Sequence, residues 1–325
     1  MTSPDTPQPD ALIGATGFVG TNLRLSHDFA AEYASRTIGD SAGRSFGTVV
    51  CAAAPATMWE ANRNPDRDLA NIDALIGHLR GIKAERFVLI STIAVLADAN
   101  AGLDEGSDAF ETDKAYGRNR RHLEVAVQEI FPTCHVLRLP ALYGAGLKKN
   151  LLFDMLNPAP SFLTEARLSE IRDAIPEAAR AELDAVYGWD EGLAMYRCDR
   201  ALLRRRGRED ELVAALSAIG ATALAFANGE SRFQFYGLAE LWSDIGRAIE
   251  HRVPVLHLAP EPIEVSDLYR ELTGEAFPPS TASVYRENMR TRHADLWGRA
   301  GDYSQDRATA LDRLRDFFAS QRSTA

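Results

Sequence analysis

The chain has 325 residues, of which 46% are hydrophobic and 25% charged, so it holds enough apolar material for one large domain or two unequal ones. Its formal net charge of −10 argues against a nucleic-acid partner, because a phosphate backbone binds positive surfaces. The sequence has no apolar run long enough to cross a membrane, and it begins with the polar stretch MTSPDTPQPD. We therefore expect neither a membrane span nor a secretory signal.

The three cysteines are far apart in the sequence and have no CxxC or Cys/His spacing. Cys51, Cys134 and Cys198 therefore predict reduced packing residues and a cytoplasmic protein, and we expect no metal site.

The first 150 residues alternate short apolar runs with longer helical patterns, which is typical of parallel βαβ units. This pattern predicts a Rossmann-type, doubly wound parallel sheet whose strands are buried on both faces. The expected strands cover residues 11–13, 48–53, 87–91 and 135–139, and the expected helices cover residues 69–82 and 116–130.

From about residue 150 the pattern changes, and we expect a smaller mixed C-terminal lobe over residues 151–325 that binds the substrate. Residues 163–216 are rich in Ala, Leu, Glu and Arg, which predicts a helical insertion with breaks near Pro176, Gly188 and Gly207. Strands are expected again at 222–227, where one could complete the sheet of residues 1–150, and at 233–236 and 255–258, with a last helix over 305–319.

A glycine-rich segment follows the first expected strand and opens a helix. Gly14, Gly17 and Gly20 have the spacing GxxGxxG, in which the glycines permit a tight turn, a close approach of backbone amides to a pyrophosphate, and close packing of helix on strand. The helix N-terminus adds its dipole and its free N–H groups to anion binding. The segment therefore predicts a dinucleotide site.

The stretch GATGFVG at residues 14–20 resembles the TGATGFIG loop of the extended short-chain dehydrogenases/reductases, which include epimerases, dehydratases and reductases of nucleotide sugars. The strand VVCAAA at residues 49–54 is similar to the family strand that ends in paired alanines, and Asn71 matches an Asn that ties a helix to a neighbouring strand. The resemblance covers about residues 11–153 and 227–266. It implies that a nicotinamide dinucleotide contacts Gly14, Thr16, Gly17, Phe18, Val19, Gly20, Ala53 and Ala54.

The end of the second strand reads the 2′ position of the adenosine ribose in this fold. Ser35 and Arg36 are expected at this strand end, and Arg or Ser suits a 2′-phosphate. We therefore favour NADP(H). Glu32 is compatible with NAD(H) as the alternative cofactor, since an acidic residue binds the free ribose hydroxyls.

The family's chemistry needs a hydroxyl residue at the end of the fourth strand, and a Tyr followed four residues later by a Lys on one helix face. The strand FVLISTIAV at residues 87–95 resembles the family's FVxxSSxxV, and it places Thr92 at the hydroxyl position with Ser91 beside it. The stretch YGRNR is similar to the family's YGxxK. The resemblance therefore implies Tyr116 as general acid or base, with Arg120 in place of the usual Lys as its electrostatic support and as a cofactor contact.

The stretch RLPALYGAG at residues 138–146 is similar to the family's RxxNVYGPG segment, which lies against the nicotinamide, with Ala141 where the family has Asn. The resemblance implies a cofactor contact at Pro140. Arg232 matches an Arg that clamps the substrate diphosphate, because its fork pairs with phosphate oxygens. Lys148 and Asn150 follow the glycines of this segment, where either a diphosphate or only solvent could contact them, and Ser91 is a further substrate candidate.

The resemblance thus implies an NAD(P)-dependent oxidoreductase or isomerase that acts on a nucleotide sugar as its small-molecule partner, and dimers are common in the family. Two alternatives stay open. Arg120 and Ala141 favour a catalytically weakened NAD(P)-binding protein that regulates a partner, and an extended reductase of a non-sugar carbonyl would share most of the motifs.

Overall fold

The computed structural model describes residues 8–323. The strands in this part of the chain are β1 (Ala11–Ile13), β2 (Ala31–Tyr33), β3 (Ser45–Cys51), β4 (Lys83–Thr92), β5 (Cys134–Leu139), β6 (Ala141–Tyr143), β7 (Phe162–Leu163), β8 (Tyr187–Asp190), β9 (Met195–Cys198), β10 (Arg232–Phe233), β11 (Phe235–Gly237), β12 (Val255–His257) and β13 (Ile263–Glu264). The helices are α1 (Phe18–Ser26), α2 (Met58–Arg63), α3 (Pro65–Leu79), α4 (Ala115–Ile130), α5 (Leu151–Leu156), α6 (Glu165–Ala174), α7 (Glu177–Val186), α8 (Arg200–Arg206), α9 (Glu209–Ala218), α10 (Leu241–Glu250), α11 (Val265–Thr273) and α12 (Arg307–Ser323). None of these helices is both long enough and apolar enough to cross a membrane.

The chain forms two compact units. The first contains the described residues up to Leu147 together with Arg232–Ile263 and Arg286–Leu314, and the second contains Lys148–Ser231, Glu264–Tyr285 and the described residues from Arg315 onwards. The first break therefore falls three residues before the expected one at 150. The sequence pattern does not predict that Arg232–Ile263 and Arg286–Leu314 belong to the first unit, because neither composition nor periodicity changes where the chain re-enters that unit.

The first unit is built on a six-stranded sheet in the order β12-β5-β4-β3-β1-β2, and every neighbouring pair is parallel. The central strands are buried on both faces, as their continuous apolar sequences predict. The expected doubly wound α/β fold is confirmed. The strand order reverses between β1 and β3, and in open parallel sheets a ligand binds at the carboxyl ends of the strands at such a reversal.

Two expectations on the sheet and its helices are corrected. Residues 222–227 do not form a strand: they contain a 3₁₀ helix, Ala223–Phe226, closed by hydrogen bonds from Ala225 N to Thr222 O and from Ala227 N to Leu224 O. Alanine has a weak preference for strands, so local hydrogen bonds prevail there. β12 is the strand that completes the sheet beyond β5. The expected helix 69–82 is α3, which begins earlier because Pro65 suits the first helical position.

The second unit is less helical than the sequence predicts. Besides α6–α9 it contains a three-stranded antiparallel sheet in the order β7-β9-β8. Helix α7 ends at Val186, so the helix breaks near Gly188 as expected, but a strand containing Gly188 follows, and the aromatic residues around it favour the extended backbone. The other two breaks fall where expected: Pro176 precedes α7, and Gly207 ends α8 in the left-handed conformation with φ 65°.

A buried ion network holds α4 against the sheet near the end of β4. Glu124 accepts two hydrogen bonds from Arg138, at 2.9 and 2.7 Å, and one of 2.6 Å from the hydroxyl of Ser91. Both members of the Glu124–Arg138 pair are almost completely buried. A buried pair is costly to break, because removal of one charge leaves the other without a partner in a medium of low polarity.

We expect Glu124→Gln to lower the free energy of unfolding by about 3–5 kcal/mol, because Arg138 then remains charged and buried. Denaturant unfolding followed by circular dichroism measures this. Asp73→Asn is the matched control: Asp73 forms an exposed 2.8 Å pair with His122, and its loss should change the stability by less than about 0.5 kcal/mol. Equal effects of the two substitutions would show that the buried network does not hold α4.

Candidate functional site

The glycine loop joins β1 to α1 at the carboxyl edge of the sheet, with Gly17 at the N-cap position. Gly14 has φ +92°, and a Cβ atom there would lie 2.5 Å from the carbonyl oxygen of Ala52. A Cβ atom on Gly20 would lie 2.1 Å from the carbonyl oxygen of Gly14. Real atoms do not approach so closely, so both positions require glycine, and the loop packs tightly between β3 and its own helix.

Part of the loop's backbone is already hydrogen-bonded, and part is open to a ligand. The N–H groups of Gly14 and Ala15 both donate to the carbonyl oxygen of Tyr33. Phe18 and Val19 lie in the first turn of α1, where the helix itself supplies no acceptors for the N–H groups. Thr16 beside them is exposed. The loop therefore presents the positive end of a helix dipole and free N–H groups to an anion.

β2 ends at Tyr33, two residues earlier than expected. The backbone N–H of Ala34 donates to the hydroxyl of Thr37 at 3.0 Å, and this starts a turn that ends the strand. Ser35 and Arg36 lie exposed in this turn, directly after the strand. Within residues 8–323, Arg36 makes no ion pair, whereas Glu32 forms a 2.9 Å pair with Arg24.

Ala53 and Ala54 follow β3 and are half-buried beside the loop. The next residue, Pro55, accepts a 2.5 Å hydrogen bond from Arg120. Residues 52–55 therefore connect the glycine loop, which touches Ala52, with helix α4, which carries Tyr116.

Thr92 and Tyr116 lie together at the next strand end. Thr92 is the last residue of β4, and its hydroxyl accepts a 3.2 Å hydrogen bond from Ala94 N. Tyr116 is the second residue of α4, where its backbone N–H donates to the side chain of Asn62 at 2.9 Å. The hydroxyl of Thr92 lies near the phenol of Tyr116 and lowers its pKa. The structure thus places two hydroxyl groups side by side at the carboxyl end of β4.

Arg120 lies under the ring of Tyr116, with its guanidinium carbon 4.0 Å from the ring centre. Asp68 of α3 binds both terminal nitrogens of this guanidinium, one of them at 2.9 Å, and both side chains are buried. The positive charge is present as the sequence suggests, but a carboxylate lies against it.

The pKa of Tyr116 is raised above its usual value, mainly because the phenol is buried. The charge of Arg120 and the hydroxyl of Thr92 act in the opposite direction, and Asp68 raises the pKa further. The phenol is therefore protonated at neutral pH, which suits a proton donor.

The chain segment after β5 is fixed to the glycine helix. Pro140 is buried between β5 and β6. The buried side chain of Asn22 donates to Ala145 O at 2.9 Å, accepts from Ala145 N at 2.9 Å, and donates to Phe18 O at 2.8 Å. Asn22 therefore holds the segment that follows Pro140 against the first turn of α1.

The remaining residues suggested by the sequence are less closely grouped. The hydroxyl of Ser91 is bound to Glu124, so it stabilises the end of β4. Arg232 is exposed at the start of β10 in the first unit. Lys148 and Asn150 belong to the second unit, where Lys148 is exposed and the side chain of Asn150 caps α5 by accepting from Leu152 N and Phe153 N.

Sequence reasoning misses three polar residues of the site, Asp68, Asn62 and Asn22. Asp68 is in the first turn of α3, where acidic residues are common because of the helix dipole, so its position carries no functional signal. Asn71, which matches the family's tying Asn, is exposed. Asp68, one turn earlier, instead ties α3 to helix α4, because it binds Arg120 and also accepts a 2.9 Å hydrogen bond from Asn119.

No family model and no curated protein sequence matches the chain. Solved structures do. The UDP-N-acetylglucosamine 4-epimerase from Methanobrevibacter ruminantium M1, in complex with UDP-N-acetylmuramic acid, superposes with a TM-score of 0.63 and 12% identity over 98% of this chain and 100% of that chain. The dTDP-4-dehydrorhamnose reductase from Bacillus anthracis str. Ames, in complex with NADP, gives 0.61 and 14% over 98% and 100%. MoeE5 in complex with UDP-glucose and NAD gives 0.54 and 16% over 98% and 100%.

The chain shares its fold with this UDP-N-acetylglucosamine 4-epimerase and this dTDP-4-dehydrorhamnose reductase. At these low identities the likeness defines the fold alone, and a fold of this kind hosts several activities.

We expect Gly20→Ala to weaken dinucleotide binding at least about tenfold, because the new Cβ atom displaces Gly14 O and with it the loop that meets the pyrophosphate. Gly77→Ala is the matched control, since Gly77 lies within α3 and has no atom within 4 Å of its added Cβ. The dinucleotide affinity of Gly77→Ala should be unchanged, and its stability should be equal to that of the wild type or slightly higher. Calorimetric titration with NADP and NAD measures the two affinities. A wild-type affinity in Gly20→Ala would contradict the assignment of the loop.

Proposed function

We propose that the chain is an NAD(P)-dependent oxidoreductase that acts on a sugar carbon of a nucleotide sugar. The observation that carries the proposal is the pairing of the Thr92 and Tyr116 hydroxyls at the end of β4, two strands away from the glycine loop at the end of β1. Both lie at the carboxyl edge of one parallel sheet, where ligands of such sheets bind.

The residues present suit a dinucleotide. The backbone from Thr16 to Gly20 would bind the pyrophosphate, and the small side chains of Ala53 and Ala54 leave room for the adenosine half. Pro140, held near α1 through Asn22, would lie against the nicotinamide. When bound, the nicotinamide supplies or accepts the hydride.

Tyr116 would exchange a proton with the substrate oxygen, and Thr92 would orient that oxygen by a hydrogen bond. Tyr116 and Thr92 are both half-buried, so a substrate can reach their hydroxyl groups. Arg120 would hold the ring in place by lying against its face.

For the substrate, the exposed Arg232 suits a diphosphate, and Lys148, Asn150 and Ser91 are weaker candidates, because Asn150 and Ser91 already have structural hydrogen bonds. The ligands of the similar structures, UDP-N-acetylmuramic acid and UDP-glucose, support a nucleotide sugar as the substrate class. A reductase of a non-sugar carbonyl would use the same hydroxyl pair and would not need Arg232.

We expect Tyr116→Phe to lower the rate of hydride transfer at least about 100-fold with little change in dinucleotide affinity, because it removes the proton and leaves the ring. Stopped-flow measurement of nicotinamide absorbance with a panel of UDP- and dTDP-sugars gives the rate. Tyr285→Phe, at an exposed position of the second unit, is the control and should react as the wild type does. A Tyr116→Phe variant as fast as the wild type would refute this mechanism.

The cofactor preference follows from Arg36, which is exposed after β2 and has no charged partner in the described part of the chain. We expect Arg36→Ala to weaken NADP(H) binding about tenfold or more and to leave NAD(H) binding unchanged, because only NADP(H) carries the 2′-phosphate. Arg205→Ala, an exposed arginine of α8, removes the same charge elsewhere and should affect neither. An unaltered ratio of the two affinities in Arg36→Ala would favour NAD(H).

A second candidate function is NAD(P) binding without efficient turnover, in which the bound cofactor regulates a partner. The observation that favours it is the engagement of Arg120 by Asp68 and Pro55, which occupies both terminal nitrogens that could otherwise reach a ribose. Dinucleotide binding with no hydride transfer to any nucleotide sugar in a single turnover would select this function.

A further inference from the structure

Asp68 and Arg120 form a buried, two-point ion pair between α3 and α4. Their side chains are 5% and 3% exposed. Asn119 donates a further hydrogen bond of 2.9 Å to Asp68, and Arg120 donates one of 2.5 Å to Pro55 O and one of 3.3 Å to Tyr116 O. The contacts of Arg120 with Asp68, Pro55 and Tyr116 hold its guanidinium against the face of the Tyr116 ring, and the hydrogen bond from Asn119 holds Asp68 in place.

An ion pair has a much smaller field than a single charge at the same distance, because the two contributions largely cancel. A lone cation 4.0 Å from the ring would stabilise a phenolate strongly. The Arg120 cation has the Asp68 carboxylate against it, so the Asp68 charge offsets part of the Arg120 field at the phenol.

We propose that Asp68 is a positioning residue for Tyr116: it holds Arg120 against the Tyr116 ring and offsets part of the Arg120 charge there. This inference rests on the proposed function and assigns a role to a further residue of the same site.

The groups that act on the Tyr116 phenol come from three elements. Arg120 belongs to the same helix, Asp68 to α3, and Thr92 to β4, and of these only Arg120 and Asp68 are charged. Burial raises the pKa of Tyr116 more than Arg120 lowers it, and Asp68 adds to the rise. Burial therefore sets the direction of the shift, and within the ion pair Arg120 lowers the pKa of Tyr116 more than Asp68 raises it.

Tyr116 would exchange a proton with the substrate oxygen in either direction of the reaction. In reduction, the Tyr116 O–H bond would break as its proton passes to the carbonyl oxygen, while a bound reduced dinucleotide would supply the hydride for the new C–H bond. The products are an alcohol, the oxidised cofactor and a phenolate, which takes a proton from water. Oxidation of an alcohol, which is also the first step of epimerisation through a ketone, requires the phenolate at the start.

The test uses the absorbance of tyrosinate near 295 nm during an alkaline titration, with the signal of Tyr116→Phe subtracted to isolate residue 116. We expect Asp68→Asn to lower the midpoint of this titration by about one unit or more, because the Arg120 charge then acts alone. The measurement needs neither cofactor nor substrate, so it is independent of whether the chain binds a dinucleotide. An unchanged midpoint would overturn the inference.

Two further variants separate the charge effect from damage to the fold. In Asp68→Asn combined with Arg120→Gln, both charges are absent, and we expect the midpoint to return towards the wild-type value. Glu182→Gln removes another buried carboxylate, the partner of Arg206 in the second unit, and should not move the midpoint. A midpoint in the double variant as low as in Asp68→Asn alone would show that local unfolding, and not the uncompensated charge, causes the shift.

The same variants give a second readout in turnover. Reduction starts from the phenol and oxidation from the phenolate, so the pH profile of kcat/KM in either direction reports the pKa of Tyr116, and we expect its midpoint to fall by about one unit in Asp68→Asn. A midpoint that stays at the wild-type pH in Asp68→Asn would contradict the inference, even if turnover itself confirmed the proposed function.

Discussion

The close approach of the glycine loop to the third strand is the constraint on which the site depends. β1 is three residues long, and the chain must turn at its end within van der Waals contact of Ala52 while starting a helix. Only glycine at positions 14 and 20 permits this. Because the strand order reverses at this point, the turn leaves the N-terminus of α1 at the edge of a crevice, and an anion there meets free N–H groups and the helix dipole.

From that point the backbone leads directly to the proposed chemistry. Residues 52–55 run from the glycine loop to the Arg120 contact, and Arg120 lies against Tyr116. The end of β4 is fixed from its other side by the buried Glu124–Arg138 pair through Ser91. The Asp68–Arg120 pair thus lies below the phenol of Tyr116, and the Glu124–Arg138 pair holds Ser91, the residue before Thr92. Each pair costs desolvation, and each fixes a position that the reaction would need.

Much of the first unit could be predicted from sequence, because parallel strands buried on both faces have continuous apolar sequences and the intervening helices have a clear period. β1, β5 and α4 lie where the pattern places them, and the glycine loop has the backbone that its spacing implies. The pattern fails where short elements are set by local hydrogen bonds: residues 222–227 form a 3₁₀ helix, and the hairpin of β8 and β9 interrupts a segment whose composition is helical.

The site was predictable in its hydroxyl groups but not in its charges. Thr92 and Tyr116 follow from motifs, since strand ends and helix starts are fixed by the sheet. Asp68 does not, because its partner lies 52 residues away on another helix and no local spacing relates the two. Arg120 stands where the family has Lys, and its position suggested an uncompensated charge beside Tyr116. Its charge is instead paired with Asp68.

The most direct test of the account is a crystal structure of the protein with NADPH. We expect pyrophosphate oxygens within hydrogen-bonding distance of the N–H groups of Phe18 and Val19, the 2′-phosphate beside Arg36, and the nicotinamide ring near the hydroxyl of Tyr116. A dinucleotide bound elsewhere, or a nicotinamide ring far from that hydroxyl, would contradict the central claim.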